Sequence, residues 1–143
     1  NDGEALASLF TVDGIYDDYI YGEFKGRKNI AMMLPTHFHR DAKNFSWEMY
    51  DLISNESKGY ARYRFSFTST LAGSEDLIVA VPGMAYFKFN GSLIKYYGEV
   101  VNGGIPMAQL NLPSQKIKRV FQKWSDRALK SDQKLRELYT KGE

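Results

Sequence analysis

Apolar residues fall at helical spacing near the start of the chain, switch to alternation from Phe45 onward, and return to helical spacing after Pro113. Leu6, Leu9 and Phe10 share one side of a predicted helix over 4–10, with Asp2 as its N-cap. The aromatic stretch Phe10–Asp18 then reads as a strand, and 15–21 as one or two short extended pieces. Gly26 turns the chain into a helix whose apolar face is Ile30, Met33, Leu34 and Phe38; Pro35 inside that pattern bends or restarts it. Residues 45–54, 60–71, 77–90 and 92–102 read as four long strands, separated by the turn-forming runs 55–59 and 72–76 and the tight Asn90-Gly91 pair. Four such strands make an antiparallel meander. Because helices precede the meander instead of alternating with its strands, the expected class is α+β, with the helices gathered on one face of a curved antiparallel sheet.

An added C-terminal helix follows. Ile117, Val120, Phe121, Trp124, Ala128, Leu135, Leu138 and Tyr139 recur at helical spacing among Lys and Arg, so the chain divides into a domain over 1–112 and an amphipathic helix over 113–143. Its apolar face suits packing on its own domain or on a second copy, a membrane surface, or docking to another protein. Asp126, Asp132 and Glu137 dilute its charge and weigh against the membrane surface. A homodimer is the simplest expectation.

Composition narrows the function classes. The 143 residues suffice for one domain with a real core. With no cysteine, disulfides, thiol catalysis and thiolate metal sites are excluded. A net charge of +2 is too small to argue for a nucleic acid partner. No apolar run approaches the roughly 20 residues that cross a bilayer, and no signal peptide opens the chain, so a cytoplasmic protein without a membrane partner is expected. Aromatic residues make up 15% of the chain, which suits either crowded strands or a cavity lined by large rings with polar tips.

Asp17 and Asp18 end the first aromatic strand. Adjacent strand residues point to opposite faces, so only one of the two enters the interior, where apolar walls would make it an acid or base. A solvated strand end or an Asx turn is the plainer alternative. On the strand near residue 60, Ala61, Tyr63, Phe65 and Phe67 share one face and Arg62 and Arg64 the other; the aromatic set is expected inward. His37 and His39 diverge on a regular helix, and no third ligand accompanies them, so no metal or other cofactor is expected. His37 keeps a role as an acid or base near the mouth of the interior.

Leu9-Phe10-Thr11-Val12-Asp13-Gly14-Ile15-Tyr16-Asp17-Asp18, the helix start Gly26-Arg27-Lys28-Asn29-Ile30, the strand Arg62-Tyr63-Arg64-Phe65, and Asn90-Gly91-Ser92-Leu93-Ile94 leading to Tyr96-Tyr97-Gly98-Glu99-Val100 occur in that order. Over about residues 1–110 this arrangement resembles the nuclear transport factor 2-like superfamily, in particular its SnoaL-like members. The resemblance implies a cone-shaped fold, a curved antiparallel sheet wrapped around N-terminal helices, and alignment on 10–18 places Asp18 where ketosteroid isomerases keep a general-base aspartate. Their tyrosine on a long opening helix and their second acid have no counterpart, since the strand 77–85 carries no acid. Limonene epoxide hydrolases, which share the fold, pair an arginine with carboxylates; here that would be Arg62 with Glu99, or the same two residues would form a plain cross-strand salt bridge.

The expected site is thus a proton-transfer centre of Asp18, Glu99 and Tyr16 in an apolar cavity. Its walls would be Tyr19, Met33, His37, Phe38, Trp47, Arg62, Phe65, Phe87 and Tyr97, and its ligand a small hydrophobic molecule. The expected activity is that of a cofactor-independent isomerase, cyclase or dehydratase. A noncatalytic ligand-binding domain and a homo-oligomeric interaction module are the alternatives.

Overall fold

The computed structural model describes residues 2–141. Helix α1 (Gly3–Ser8) starts where Asp2 accepts a hydrogen bond from the Ala5 amide at 2.9 Å, as its N-cap position requires. Strands β1 (Phe10–Asp18) and β2 (Gly22–Lys25) follow, and then helix α2 (Arg27–Met33). Pro35 cannot donate into a regular helix, and the chain answers with a wide π-helical turn, Leu34–Phe38, before one further turn, α3 (His39–Asp41). The meander is β3 (Ala42–Ser54), β4 (Lys58–Ser69), β5 (Ile78–Asn90) and β6 (Leu93–Val101). Gly91 supplies the positive φ of the tight β5–β6 turn.

The six strands form one curved sheet in the order β2-β1-β6-β5-β4-β3. The meander is antiparallel throughout, as its short turns require. β1 adds to β6 in parallel, with Tyr16 opposite Tyr97 and Asp17 opposite Gly98, so the sheet is mixed where local turn signals had indicated only antiparallel pairs. The helices lie on one face: Ala7 from α1 and Ile30, Ala31 and Met33 from α2 share a buried cluster with Phe10, Tyr16, Tyr63, Ala85 and Tyr97 from the strands. A Cβ on Gly3 would sit 2.1 Å from the Ala31 carbonyl oxygen, so the glycine lets α1 approach the α2 backbone directly.

Beyond Gly83, β6 no longer accompanies β5. Helix α4 (Gly104–Gln109) covers the exposed strand backbone there: the Gln109 amide accepts from Ala80 N at 2.9 Å and donates to Ala80 O at 3.1 Å, in place of a strand partner. Two compact units result, Asn1–Leu110 and Asn111–Glu143. The second consists of α5 (Ser114–Ser131) and α6 (Gln133–Thr140), where one continuous helix was expected. The break is at Asp132, whose backbone is extended and whose side chain caps α6 by accepting from Leu135 N at 3.0 Å.

Candidate functional site

Strand parity sorts the carboxylates. On β1, Tyr16 and Asp18 are buried on the helix-covered face, and Asp17 turns to the other face, where Tyr96 donates to it at 2.7 Å. On β6, Tyr97 and Glu99 share the inward face. Tyr16 and Tyr97 are register partners with ring centroids 4.4 Å apart, and two residues further along the same parallel pair of strands come Asp18 and Glu99. Two carboxyl groups are therefore neighbours on one face.

Both are held by specific donors. Asp18 Oδ1 accepts from the Ile20 and Tyr21 amides at 2.8 and 2.7 Å, the Asx-turn arrangement, yet the residue is only 4% exposed. It is thus a turn carboxylate and a buried one at once. Glu99 Oε2 accepts from Tyr97 at 2.9 Å and from Tyr63 at 3.1 Å, while Oε1 accepts from the Tyr19 amide at 3.3 Å. The turn that fixes Asp18 also presents an amide to Glu99.

Tyr63 reaches Glu99 because the sheet makes room for it. It lies opposite Gly83 on β5, and a Cβ at Gly83 would stand 2.2 Å from its Cζ and 2.4 Å from its hydroxyl oxygen. The next row across the strands is Ala61, Ala85 and Glu99, so small side chains flank the carboxyl. The phenol crosses β5 over glycine to meet an acid on β6.

Burial raises the Glu99 carboxyl above its ordinary value of 4.5, against the opposing pull of the hydrogen bonds from Tyr97, the Tyr19 amide and Tyr63. Burial also drives the phenols of Tyr97 and Tyr16 far upward, with nearby Glu99 adding to the rise, and pushes Tyr63 up in the same way. These tyrosines are neutral donors at any ordinary pH. Glu99 is the group that titrates. Its protonated form is favoured on folding, so its contribution to stability is full below 4.5 and is lost as pH rises through the raised native value. Glu99→Gln, which cannot ionise, is expected to gain stability relative to the wild type as pH goes from about 4 to about 7, read as a widening difference in urea midpoints.

The other expected site residues fall into groups. Met33, 1% exposed, belongs to the core, and Tyr16 packs on Tyr97 without donating to Glu99, a task that Tyr63 and Tyr97 perform. Phe38, Phe65 and Phe87 are partly buried against that core. Trp47, 37% exposed, lies on the same face with its ring 5.2 Å from Tyr63 and 4.7 Å from Phe65. Tyr19 contributes its amide to Glu99. His37 packs edge-on against Tyr21 and Phe24 at 5.0 and 5.1 Å, and Tyr21 in turn donates to Asp41.

Arg62 is placed elsewhere. It stands on the opposite face, 3.1 Å from Asp51 and over the Tyr50 ring, with Arg64 beside it on Glu48 at 3.0 Å. The alternation that turns Tyr63 inward turns both arginines outward, so an Arg62–Glu99 pair does not form. Tyr63 itself was missed as a site residue; its signal was Gly83 at the facing position of the next strand.

No family model matches the sequence, and no curated protein matches it by sequence. Solved structures do match in fold. A hypothetical protein of ketosteroid isomerase-like fold from Catenulispora acidiphila, in complex with trimethylamine, is 20% identical with a TM-score of 0.71, over 80% of this chain and 86% of that one. A protein from Shewanella putrefaciens assigned as a SnoaL-like polyketide cyclase is 16% identical, TM-score 0.64, over 78% and 86% of the two chains. An epoxide hydrolase of the limonene type from M. tuberculosis is 11% identical, TM-score 0.61, over 76% and 77%. The fold is that of the nuclear transport factor 2-like, SnoaL-like proteins.

Proposed function

We propose that this nuclear transport factor 2-like fold serves cofactor-independent proton transfer on a small hydrophobic carbonyl or hydroxyl compound, with Asp18 as base and Glu99 as its acidic partner. The observation that carries this reading is the neighbouring pair of inward carboxyl groups, one fixed by two turn amides and the other bonded by two buried phenols. Asp18 would take a proton from carbon next to a carbonyl. The developing enolate oxygen would meet the Glu99 carboxyl, which burial holds above its ordinary value and so makes the proton donor of the pair, beside the neutral hydroxyls of Tyr63 and Tyr97. The half-buried rings of Phe65, Phe87 and Phe38, with the more exposed Trp47 beside them, would hold the apolar body of the substrate. Isomerisation, cyclisation and dehydration all use this step. Deuterium uptake from heavy water into a panel of small apolar ketones, followed by proton NMR, tests it without naming a substrate. Uptake above the buffer rate that Glu99→Gln and Tyr63→Phe each reduce supports the assignment; uptake equal to buffer across the panel overturns it.

A second reading is a noncatalytic binder of small organic amines. It is favoured by the trimethylamine in the Catenulispora protein and by two carboxyl groups here standing among aromatic rings with Arg62 and Arg64 turned away. Titration with trimethylammonium followed by tryptophan fluorescence separates the readings: saturable quenching without deuterium uptake on any ketone selects the binder.

A further inference from the structure

The loop that fixes Asp18 is itself held by a neighbouring element. Residues 19–21 join β1 to β2, whose first residue, Gly22, is the register partner of Asp18. Tyr21 closes that loop and bonds at both ends: its amide donates to Asp18 Oδ1 at 2.7 Å and its hydroxyl donates to Asp41 Oδ2 at 2.9 Å. The acceptor is fixed in turn. Arg40 Nε and Nη2 donate to the two Asp41 oxygens at 2.6 and 2.5 Å. Thr70 ties down the backbone at this end of α3, its amide donating to Asp41 O and its hydroxyl to Arg40 O, both at 3.0 Å. The Tyr21 ring also packs on His37 at 5.0 Å and on Phe38 at 5.7 Å. One side chain thus joins the turn beneath the base to the π-helical turn and to α3.

Donor and acceptor keep these roles at neutral pH. Burial, with the Asp41 hydrogen bond, drives the Tyr21 phenol upward, and the Arg40 hydrogen bond holds the Asp41 carboxyl below its ordinary value of 3.8. A charge-assisted bond from a part-buried phenol is among the stronger single contacts that a loop can make. We propose that Tyr21 is a positioning residue, whose bond to Asp41 clamps the Ile20 and Tyr21 amides onto the Asp18 carboxyl. The clamp stands on geometry alone; its effect on rate rests on the proton-transfer reading above. For a base, displacement by about 1 Å costs on the order of a hundredfold in rate, so a clamp on its turn acts on the chemical step and not on the affinity for substrate.

The test compares the full chain with Tyr21→Phe, which keeps the ring and loses the hydroxyl, and with Asp41→Ala, which removes the acceptor. Amide hydrogen exchange followed by NMR reads the turn without any substrate. Each variant should speed exchange at the amides of residues 20 and 21 by about tenfold, with the β4 amides unchanged, and the double variant should add little to either. Asp41→Asn, which keeps an acceptor oxygen, should lie closer to the wild type than to Asp41→Ala. On a ketone that takes up deuterium, Tyr21→Phe and Asp41→Ala should each lower kcat by about tenfold or more with KM little changed. Unchanged exchange at residues 20 and 21 in both single variants overturns the proposal. So does faster exchange that extends equally to β4, or a loosened turn with kcat intact. A loosened turn in a protein whose wild type takes up no deuterium on any ketone removes the proton-transfer reading and supports the clamp on Asp18.

Discussion

Gly83→Ala is expected to destabilise the sheet unit by about 2–3 kcal/mol and to lower its melting temperature by roughly 10 °C. The added methyl would lie 2.2 Å from Tyr63 Cζ, and Tyr63, 2% exposed and packed against Trp47, has no open space to move into. Displacing the ring also breaks its hydrogen bond to Glu99, leaving a half-buried acid with one phenol fewer. A double-mutant cycle isolates the cause. In a Tyr63→Leu background, where no phenol crosses β5, the same glycine change should cost at least ~1 kcal/mol less, measured by urea unfolding. Equal cost in both backgrounds would place the strain in the β5 backbone and remove Tyr63 from the explanation.

Asp18→Asn is expected to lower any proton-transfer rate by about 10²–10⁴-fold while leaving the fold in place. Asparagine keeps an oxygen that accepts from the Ile20 and Tyr21 amides, so the turn survives, but it lacks the basic carboxylate. Unfolding midpoints near those of the wild type, with a lost rate and retained ligand binding, are the pattern for a base. A change in affinity alone is the pattern for a binder.

Much of this arrangement was legible in the sequence because it depends on local periodicity. Alternation from Phe45 to Asn102 marks the meander, and parity within β4 correctly sets Tyr63 and Phe65 apart from Arg62 and Arg64. The same parity on β1 separates Asp17 from Asp18. What stayed hidden depends on contacts across the chain. The parallel pairing of β1 with β6 joins residues about 80 positions apart with no turn to announce it. The role of Tyr63 depends on a glycine opposite it, which only the β4–β5 register reveals. The end of α5 was masked by apolar spacing that continues through Leu135 and Leu138, although Asp132 three residues before Leu135 is a cap signal.

The outward face repeats the inward design. Tyr96 crosses Gly98, where a Cβ would stand 2.8 Å from its ring, to donate to Asp17. Burial and the Asp17 charge raise this phenol too. A tyrosine over a glycine reaching a carboxyl is thus a structural device that the sheet uses on both faces, and a second acid stands nearby on each, Glu23 opposite Asp17 and Asp18 beside Glu99; what distinguishes the inward pair is the burial of that second acid, Asp18 being 4% exposed and Glu23 exposed.

The most direct test of the Asp18–Glu99 assignment is the pH dependence of deuterium uptake on a responsive ketone, compared between wild type and Glu99→Gln. If Glu99 supplies the proton, the wild-type rate falls as pH rises through the raised Glu99 value, and the variant, slower throughout, shows no such fall. An alkaline fall that persists unchanged in Glu99→Gln would contradict the account and assign the proton to another group.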